Sequence, residues 1–209
     1  IMENLQNFYI NGEWVTPQSK NTMPVMNPAT EEQIGIVAMG NVDDVNLAVS
    51  AANTAFEIFS QTSKEERLNL LLKIQEVTKN RFEDLVQAMS LEMGAPMTMA
   101  RDAQADAAIG HLDGFIEALK KLEDYVTLPN GDVLCKEPIG VCGLITPWNW
   151  PINQITLKVL PAIATGCASI LKPSEHTPLS AVVYTEILHE AGVPSGVFNL
   201  VQGNGEDVG

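Results

Sequence analysis

Between Gly140 and Val201 three short apolar runs alternate with two helix-length segments, and this alternation constrains the chain more than any other feature. Gly140 to Ile145, Cys167 to Leu171 and Val197 to Val201 each have the length and apolar content of a buried strand. The first connection carries Ile152, Ile155, Val159, Leu160 and Ile163 on one helical face and closes on Thr165-Gly166. The second begins at Thr177, a residue able to cap a helix, with Pro178 in the first turn. It ends at Ala191-Gly192, and Pro194 prevents its return. A β-α-β-α-β order predicts an α/β fold with a parallel sheet and right-handed crossovers.

Ligands of such sheets bind at the C-terminal ends of the strands. Three segments fall there: Thr146-Pro147-Trp148-Asn149-Trp150-Pro151, Lys172-Pro173-Ser174-Glu175, and Gly203-Asn204-Gly205-Glu206-Asp207-Val208-Gly209. Asn149 is bracketed by tryptophans and prolines. A rigid, desolvated amide is a good donor to a developing oxyanion, whereas a turn asparagine bonding its own backbone is the commoner case. Lys172 and Glu175 can bond ribose hydroxyls, or simply form a solvated ion pair. The last segment, G-x-G-x-x-x-G, is one residue longer than the dinucleotide fingerprint; its glycines could let a cofactor approach the backbone, but taken alone it reads as a surface loop.

Upstream, Phe8 to Val15 predicts a β-hairpin, because Asn11-Gly12 supplies the two positive φ values of a type I′ turn. Asn27-Pro28-Ala29-Thr30 predicts a turn, followed by a strand from Gln33 to Ala38. A helix is expected from about Asp43, with Val45, Ala48, Val49, Ala52, Ala55, Phe56 and Phe59 on one face. Ser63-Lys64-Glu65-Glu66 is a capping box for the next. Phe82, Leu85, Val86 and Met89 mark a third helix stopping at Gly94, and a fourth runs from Met97 to about Leu122. Tyr125-Val126-Thr127-Leu128 and Val133-Leu134-Cys135-Lys136 flank a Pro129-Asn130-Gly131-Asp132 turn, a second hairpin. The whole reads as a Rossmann-like sheet with flanking helices, preceded by a hairpin and a helical segment.

The 209 residues carry a net charge of −14, which would repel a phosphate backbone or an anionic lipid surface. A nucleic-acid or membrane partner is therefore not expected, although a dinucleotide can still bind where helix ends and lysines act locally. No apolar stretch has membrane-spanning length, and no basic, then apolar, leader opens the chain. Ile1 ahead of Met2 reads as left over from processing or cloning. Cys135, Cys142 and Cys167 are odd in number and lack C-x-x-C spacing, so neither a disulfide framework nor zinc is expected, and a cytoplasmic setting fits. Cys142 and Cys167 read as core thiols, and Met89, Met93 and Met97 as packing residues. His189, near a helix end, reads as complementing the helix dipole.

The run Glu137-Pro138-Ile139-Gly140-Val141-Cys142-Gly143, then Thr146 to Pro151, then Pro161-Ala162-Ile163-Ala164-Thr165-Gly166-Cys167, then Lys172-Pro173-Ser174-Glu175-His176-Thr177-Pro178, resembles the aldehyde dehydrogenase superfamily. Asn27-Pro28-Ala29-Thr30 and Ala191 to Val197 fit as well, so the resemblance covers essentially the whole chain.

The resemblance implies that residues 1–122 open an NAD(P)-binding domain, 123–138 form an oligomerisation hairpin, and 139–209 supply the first βαβαβ part of the cofactor sheet. The catalytic domain would be absent, leaving an incomplete aldehyde dehydrogenase fold. Asn149 would stabilise the oxyanion. Ile145, Thr146, Pro147 and Trp148 would follow the nicotinamide half of the cofactor. Lys172, Ser174 and Glu175 would hold the adenosine ribose, and Gly205 and Gly209 would pack near the adenine. Glu175 favours NAD, because a carboxylate near the ribose 2′ position repels the extra phosphate of NADP. The implied reaction is oxidation of an aldehyde to a carboxylic acid through a cysteine thioester, in a homodimer or homotetramer. The nucleophilic cysteine and the water-activating glutamate would lie beyond Gly209. The alternative is a non-catalytic nucleotide-binding or structural segment.

Overall fold

A computed structural model of the chain describes residues 4–209, so Ile1 lies outside the described residues. The main sheet has five strands in the order β2-β1-β9-β8-β7. Its parallel part comprises β7 (Val141–Ile145), β8 (Ala168–Lys172) and β9 (Phe198–Leu200), joined by α6 (Pro151–Ala164) and α7 (Pro178–Glu190). The alternation in the sequence therefore folds as expected, with the middle strand one residue later than its apolar run.

β1 (Phe8–Ile10) and β2 (Glu13–Val15) form the first hairpin, in register Phe8 with Val15. Asn11 (φ 55°) and Gly12 (φ 84°) adopt the left-handed values that the turn demands. The destination of this hairpin is not visible in the sequence. Tyr9 pairs antiparallel with Leu200, so the N-terminal hairpin closes the outer edge of β9. Tyr9 packs edge-on to Trp14 at 5.3 Å between ring centroids, with Phe198 alongside.

The strand expected after the Asn27 turn has an unforeseen partner. β3 (Asn21–Asn27) pairs with β4 (Glu32–Met39) as a separate two-stranded sheet, with a register shift between Val25 and Met26. Pro24 and the polar start of β3 obscure it, since a proline within a run argues against a central strand. In a two-stranded sheet both strands are edges, and a proline is tolerated there.

Helices α1 (Val42–Phe59), α2 (Lys64–Asn80) and α3 (Phe82–Met93) follow their apolar periods. Ser63 and Glu66 form the expected capping box. A second box, Asn41 with Asp44, starts α1. Asp44 is buried, and its carboxylate also accepts from the amides of Gln18 (2.7 Å) and Ser19 (3.3 Å). It thereby ties the segment after β2 to the helix over the sheet. Gly94, at φ 70°, ends α3 as a left-handed cap.

The single helix expected from Met97 to Leu122 is instead α4 (Met97–Met99), a π-helical turn at Ala100–Ala105, and α5 (Asp106–Lys121). Ala100, Gln104 and Ala105 are all buried. In an α-helix a residue five positions on is rotated by about 140°. The wider turn brings Ala100 and Ala105 to the same side, toward α3. Packing decides this, and an alanine-rich period cannot show it.

Alpha-helical cover lies on both faces of the sheet. Ala48 and Ala52 of α1 pack with Phe8, Ala168, Ile170 and Val201 on one face. Leu71, Met89, Leu112, Ile155, Val182, Ile187 and Leu200 belong to a larger core on the other. Residues from the segments before and after the second hairpin thus share one sheet and one core. That hairpin, β5 (Tyr125–Thr127) with β6 (Val133–Cys135), is a two-stranded arm of its own. β7 is the free margin of the main sheet, so the expectation of a wholly buried strand is corrected: Gly143 and Ile145 are exposed and Cys142 is half-buried. Met97 is also exposed rather than a packing residue, while Met89 is buried. Among the described residues no helix is long and apolar enough to cross a membrane.

Asp44→Ala leaves three amides without their acceptor, Gln18 and Ser19 on one segment and Asn41 on the other. The variant is expected to lose about 2–3 kcal/mol in urea denaturation, whereas Asp44→Asn should lose less.

Candidate functional site

The β7 and β8 loops meet at one edge of the sheet. The ladder between these strands ends at Ile145 opposite Lys172, and the Thr146 amide continues it by donating to the Lys172 carbonyl at 3.2 Å. Thr146 is buried, whereas Ile145 (57% exposed), Pro147 and Trp148 (55% exposed) stand in the open. Trp148 and Glu175 line one cavity of about 390 Å³, together with His176, Thr177, Glu92 and Met23 to Met26 of β3. Three loops are expected to share this rim; those after β7 and β8 meet here, while the glycine-rich loop 203–209 does not line the cavity.

Lys172 is 6% exposed, which excludes the solvated ion pair weighed above. Its Nζ donates to the Pro173 carbonyl at 3.0 Å and to Glu175 Oε2 at 3.4 Å. An ammonium has three protons, so one donor remains for a ligand. Burial raises the Glu175 carboxyl, but its own backbone amide and Lys172 outweigh that, and the group lies below its ordinary value. Glu175 is therefore an ionised acceptor at the rim. Ser174 is buried and its Oγ accepts from the His176 amide at 3.3 Å, leaving its hydroxyl proton free to donate. One ammonium proton, one hydroxyl and one carboxylate suit a vicinal diol such as a ribose.

Asn149 is exposed rather than desolvated, which corrects the expectation of a closed environment around it. It stands just ahead of α6, whose N-cap is Trp150 and whose first residue is Pro151. The helix start adds partial positive charge next to the Asn149 amide. The glycine-rich loop is tied down elsewhere. Val201 donates to the Leu171 carbonyl at 3.0 Å, and Gln202 Nε2 donates to the Pro178 carbonyl at 3.4 Å. Beyond them, Asn204 Oδ1 accepts from the Asp207 amide at 2.8 Å. A β-carbon on Gly209 would lie 2.5 Å from the Gly205 carbonyl oxygen, so glycine there serves the closure of the loop itself. Gly205 and Gly209 are exposed and do not line the Trp148–Glu175 cavity.

Glu92 has no counterpart in the sequence reading. It lies on α3, fully buried, and its carboxylate accepts from the amides of Leu179, at close range, and Ser180, at 3.0 Å. These are first-turn amides of α7, the helix that follows the Lys172–Glu175 loop. Thr177, expected to cap that helix, makes no side-chain cap bond. A carboxylate from another helix has taken its place, a substitution that only tertiary contact can reveal. Burial pushes the Glu92 carboxyl up to about 7, with the bonds from Ser180 and Leu179 opposing it.

The other reactive side chains lie apart. Cys135 is exposed on the arm and Cys167 is buried ahead of β8. His189, expected to complement the α7 dipole, also has its Nδ1 2.9 Å from the Tyr9 hydroxyl, joining α7 to the first hairpin. Among the described residues no group of three His, Cys, Asp or Glu side chains is placed to hold a metal ion.

The sheet, its helices and the meeting loops define an α/β fold built on a parallel sheet with helices on both faces. The chain belongs to the aldehyde dehydrogenase family, whose model matches residues 14–209. It is 46% identical to a 3-succinoylsemialdehyde-pyridine dehydrogenase of Pseudomonas over 100% of its own length and 44% of that protein. The solved structure of a Pseudomonas syringae aldehyde dehydrogenase in complex with NAD+ and octanal superposes with a TM-score of 0.95 at 48% identity, over 98% of this chain and 42% of that one. A Staphylococcus aureus betaine aldehyde dehydrogenase in complex with NAD+ gives 0.92 at 34% identity, over 98% and 43%. The chain thus spans about 44% of the length of its curated relatives and matches their N-terminal part.

A carboxyl raised by folding stabilises fully below its ordinary range and loses that contribution as pH climbs through its folded value. For Glu92 the window runs from the ordinary carboxylate value to about 7. The unfolding free energy of the parent, relative to Glu92→Gln, is expected to fall by at least about 1 kcal/mol between pH 5 and pH 8. Urea denaturation at both pH values checks this.

Proposed function

We propose that the protein to which this chain contributes oxidises an aldehyde to a carboxylic acid with NAD, and that this chain supplies the ribose contacts and one oxyanion donor. The observation that carries the reading is the meeting of the Trp148–Asn149 loop with the buried Lys172 and ionised Glu175 at one edge of a parallel sheet. Lys172, with its spare proton, Ser174 and Glu175 would hold the adenosine ribose. Ile145, Thr146, Pro147 and Trp148 would border the nicotinamide half, and Gly205 and Gly209 the adenine side. NAD, when bound, supplies the hydride acceptor.

The nucleophile in this reading is a cysteine thiolate outside the 209 residues. Cys135 lies on the arm, Cys142 on the margin strand and Cys167 in the core, none of them among the side chains lining the Trp148–Glu175 cavity. When a thiolate adds to the carbonyl carbon, negative charge moves to oxygen. The Asn149 amide, just ahead of α6, would donate to that oxygen. An open position serves this role once the remainder of the protein covers the edge and excludes water.

Asn149→Ala in the complete protein is expected to lower kcat by about 10² to 10³. An unchanged kcat, with the chemical step limiting, removes Asn149 from the mechanism.

The same reading assigns self-association to the β5–β6 arm. Tyr125, Val133 and Leu134 are exposed on it, which is unusual for a free two-stranded ribbon. Replacing Val133 and Leu134 with Asp should shift sedimentation toward monomers; an unaltered oligomer would exclude the arm from the interface.

A further inference from the structure

We propose that Glu92 is a positioning residue for Glu175, and that through this placement it sets the preference between NAD and NADP. The inference rests on the ribose-binding role proposed for Glu175.

The loop between β8 and α7, residues 173–177, hangs between two anchors. At one end Lys172 is held in the β8 ladder, with its carbonyl accepting from Thr146. At the other end the first turn of α7 is held by Glu92, through Leu179 and Ser180. Between the anchors the chain makes a tight turn: the Thr177 amide donates to the Ser174 carbonyl at 3.1 Å, and the His176 amide to Ser174 Oγ. Glu175 sits within that turn and lines the cavity. Its position is thus fixed by the two ends of a short loop, not by a broad packing surface.

Glu92 is the natural fixed point. It is wholly buried on α3, and its neighbours Leu85, Met89 and Ala88 are core residues. It also lines the cavity that Glu175 faces. Thr177 does not cap α7, so no local side chain substitutes for the carboxylate. Around the cavity the titratable groups besides Glu92 are Glu175 and His176, while β3 contributes only apolar side chains and Pro24. Glutamine at position 92 keeps the shape but turns an amide NH2 toward one of the two backbone donors. Two donors then face each other, and the first turn of α7 must shift. A shift of the anchor moves Glu175, and a displaced carboxylate loses its bond to the ribose 2′-hydroxyl and no longer repels a 2′-phosphate.

The test is isothermal titration of NAD and NADP into the complete protein with the parent sequence and with Glu92→Gln, Glu92→Asp and Glu175→Gln. The parent is expected to bind NAD more tightly than NADP, and Glu175→Gln to erase most of that difference. Glu92→Gln should weaken NAD by about tenfold and NADP by less than twofold, so that the ratio of the two collapses toward that of Glu175→Gln. Glu92→Asp, which keeps the charge, should recover part of the ratio and serves as the informative variant where glutamine prevents folding. A purely structural role would weaken both cofactors together and leave the ratio unchanged, which would overturn the inference. A complete parent protein with no preference, or with no binding of either cofactor, overturns the ribose-binding role of Glu175 and the inference with it. A discriminating parent matched by discriminating Glu92 variants overturns only the inference.

Discussion

The parallel pairing of β8 with both of its neighbours is the interaction on which the rest of the molecule depends. β8 is buried along its whole length, Ala168 to Lys172, and hydrogen-bonds to β7 on one side and β9 on the other. The ladders do not stop at the strand ends. Thr146 donates to Lys172 and Val201 to Leu171, so the chain is still in register where the loops begin. Parallel strands all finish at the same edge, and slanted, evenly spaced bonds hold them level. A residue just past β7 and one just past β8 are therefore neighbours although many positions apart in the chain. Every candidate contact with a nucleotide follows from that geometry.

Around this centre several buried or partly buried polar groups join segments that are distant in the chain. Asp44 brings the segment after β2 onto the start of α1. Arg81, between α2 and α3, binds Asp84, Glu186 and Glu190, and so fastens that junction to α7. Glu92 fastens α3 to the other end of α7. α7 is thus held toward both ends by charged residues from the helical segment that precedes β7. Buried charges are costly unless bonded, and here the bonds are to amides or to opposite charges, which also specify one arrangement of the helices. Asn199 does the equivalent in β9, donating to the Gly196 and Ser169 carbonyls and accepting from the Asn11 amide.

The site is open. β7 is the margin of the sheet, Asn149 is exposed, and Ile145 and Trp148 stand clear of the core. An amide donor is effective for a developing oxyanion only when water is excluded, because a high dielectric weakens each bond. In the proposed reading, the contacts in this chain would form one wall of a site whose electrostatic strength depends on what covers that edge. The relatives, more than twice as long as this chain, extend beyond the matched part and have room for such a cover.

Sequence alone determined the elements whose signals are local. The Asn11-Gly12 turn, the Ser63–Glu66 box, the Gly94 stop and the β-α-β-α-β order each follow from backbone preference or from a hydrophobic period within a few residues. The motif loops were legible for the same reason: they must fall at strand ends. Other features were decided only in three dimensions, since their partners lie far away in the chain. The first hairpin joins β9, β3 finds β4 despite a proline, the alanine-rich helix widens into a π turn to face α3, and Glu92 caps α7 where Thr177 was expected. Local chemistry offers Thr177 as a cap. A carboxyl group held in place by a packed helix accepts from two amides at once, and that advantage exists only after α3 and α7 have docked.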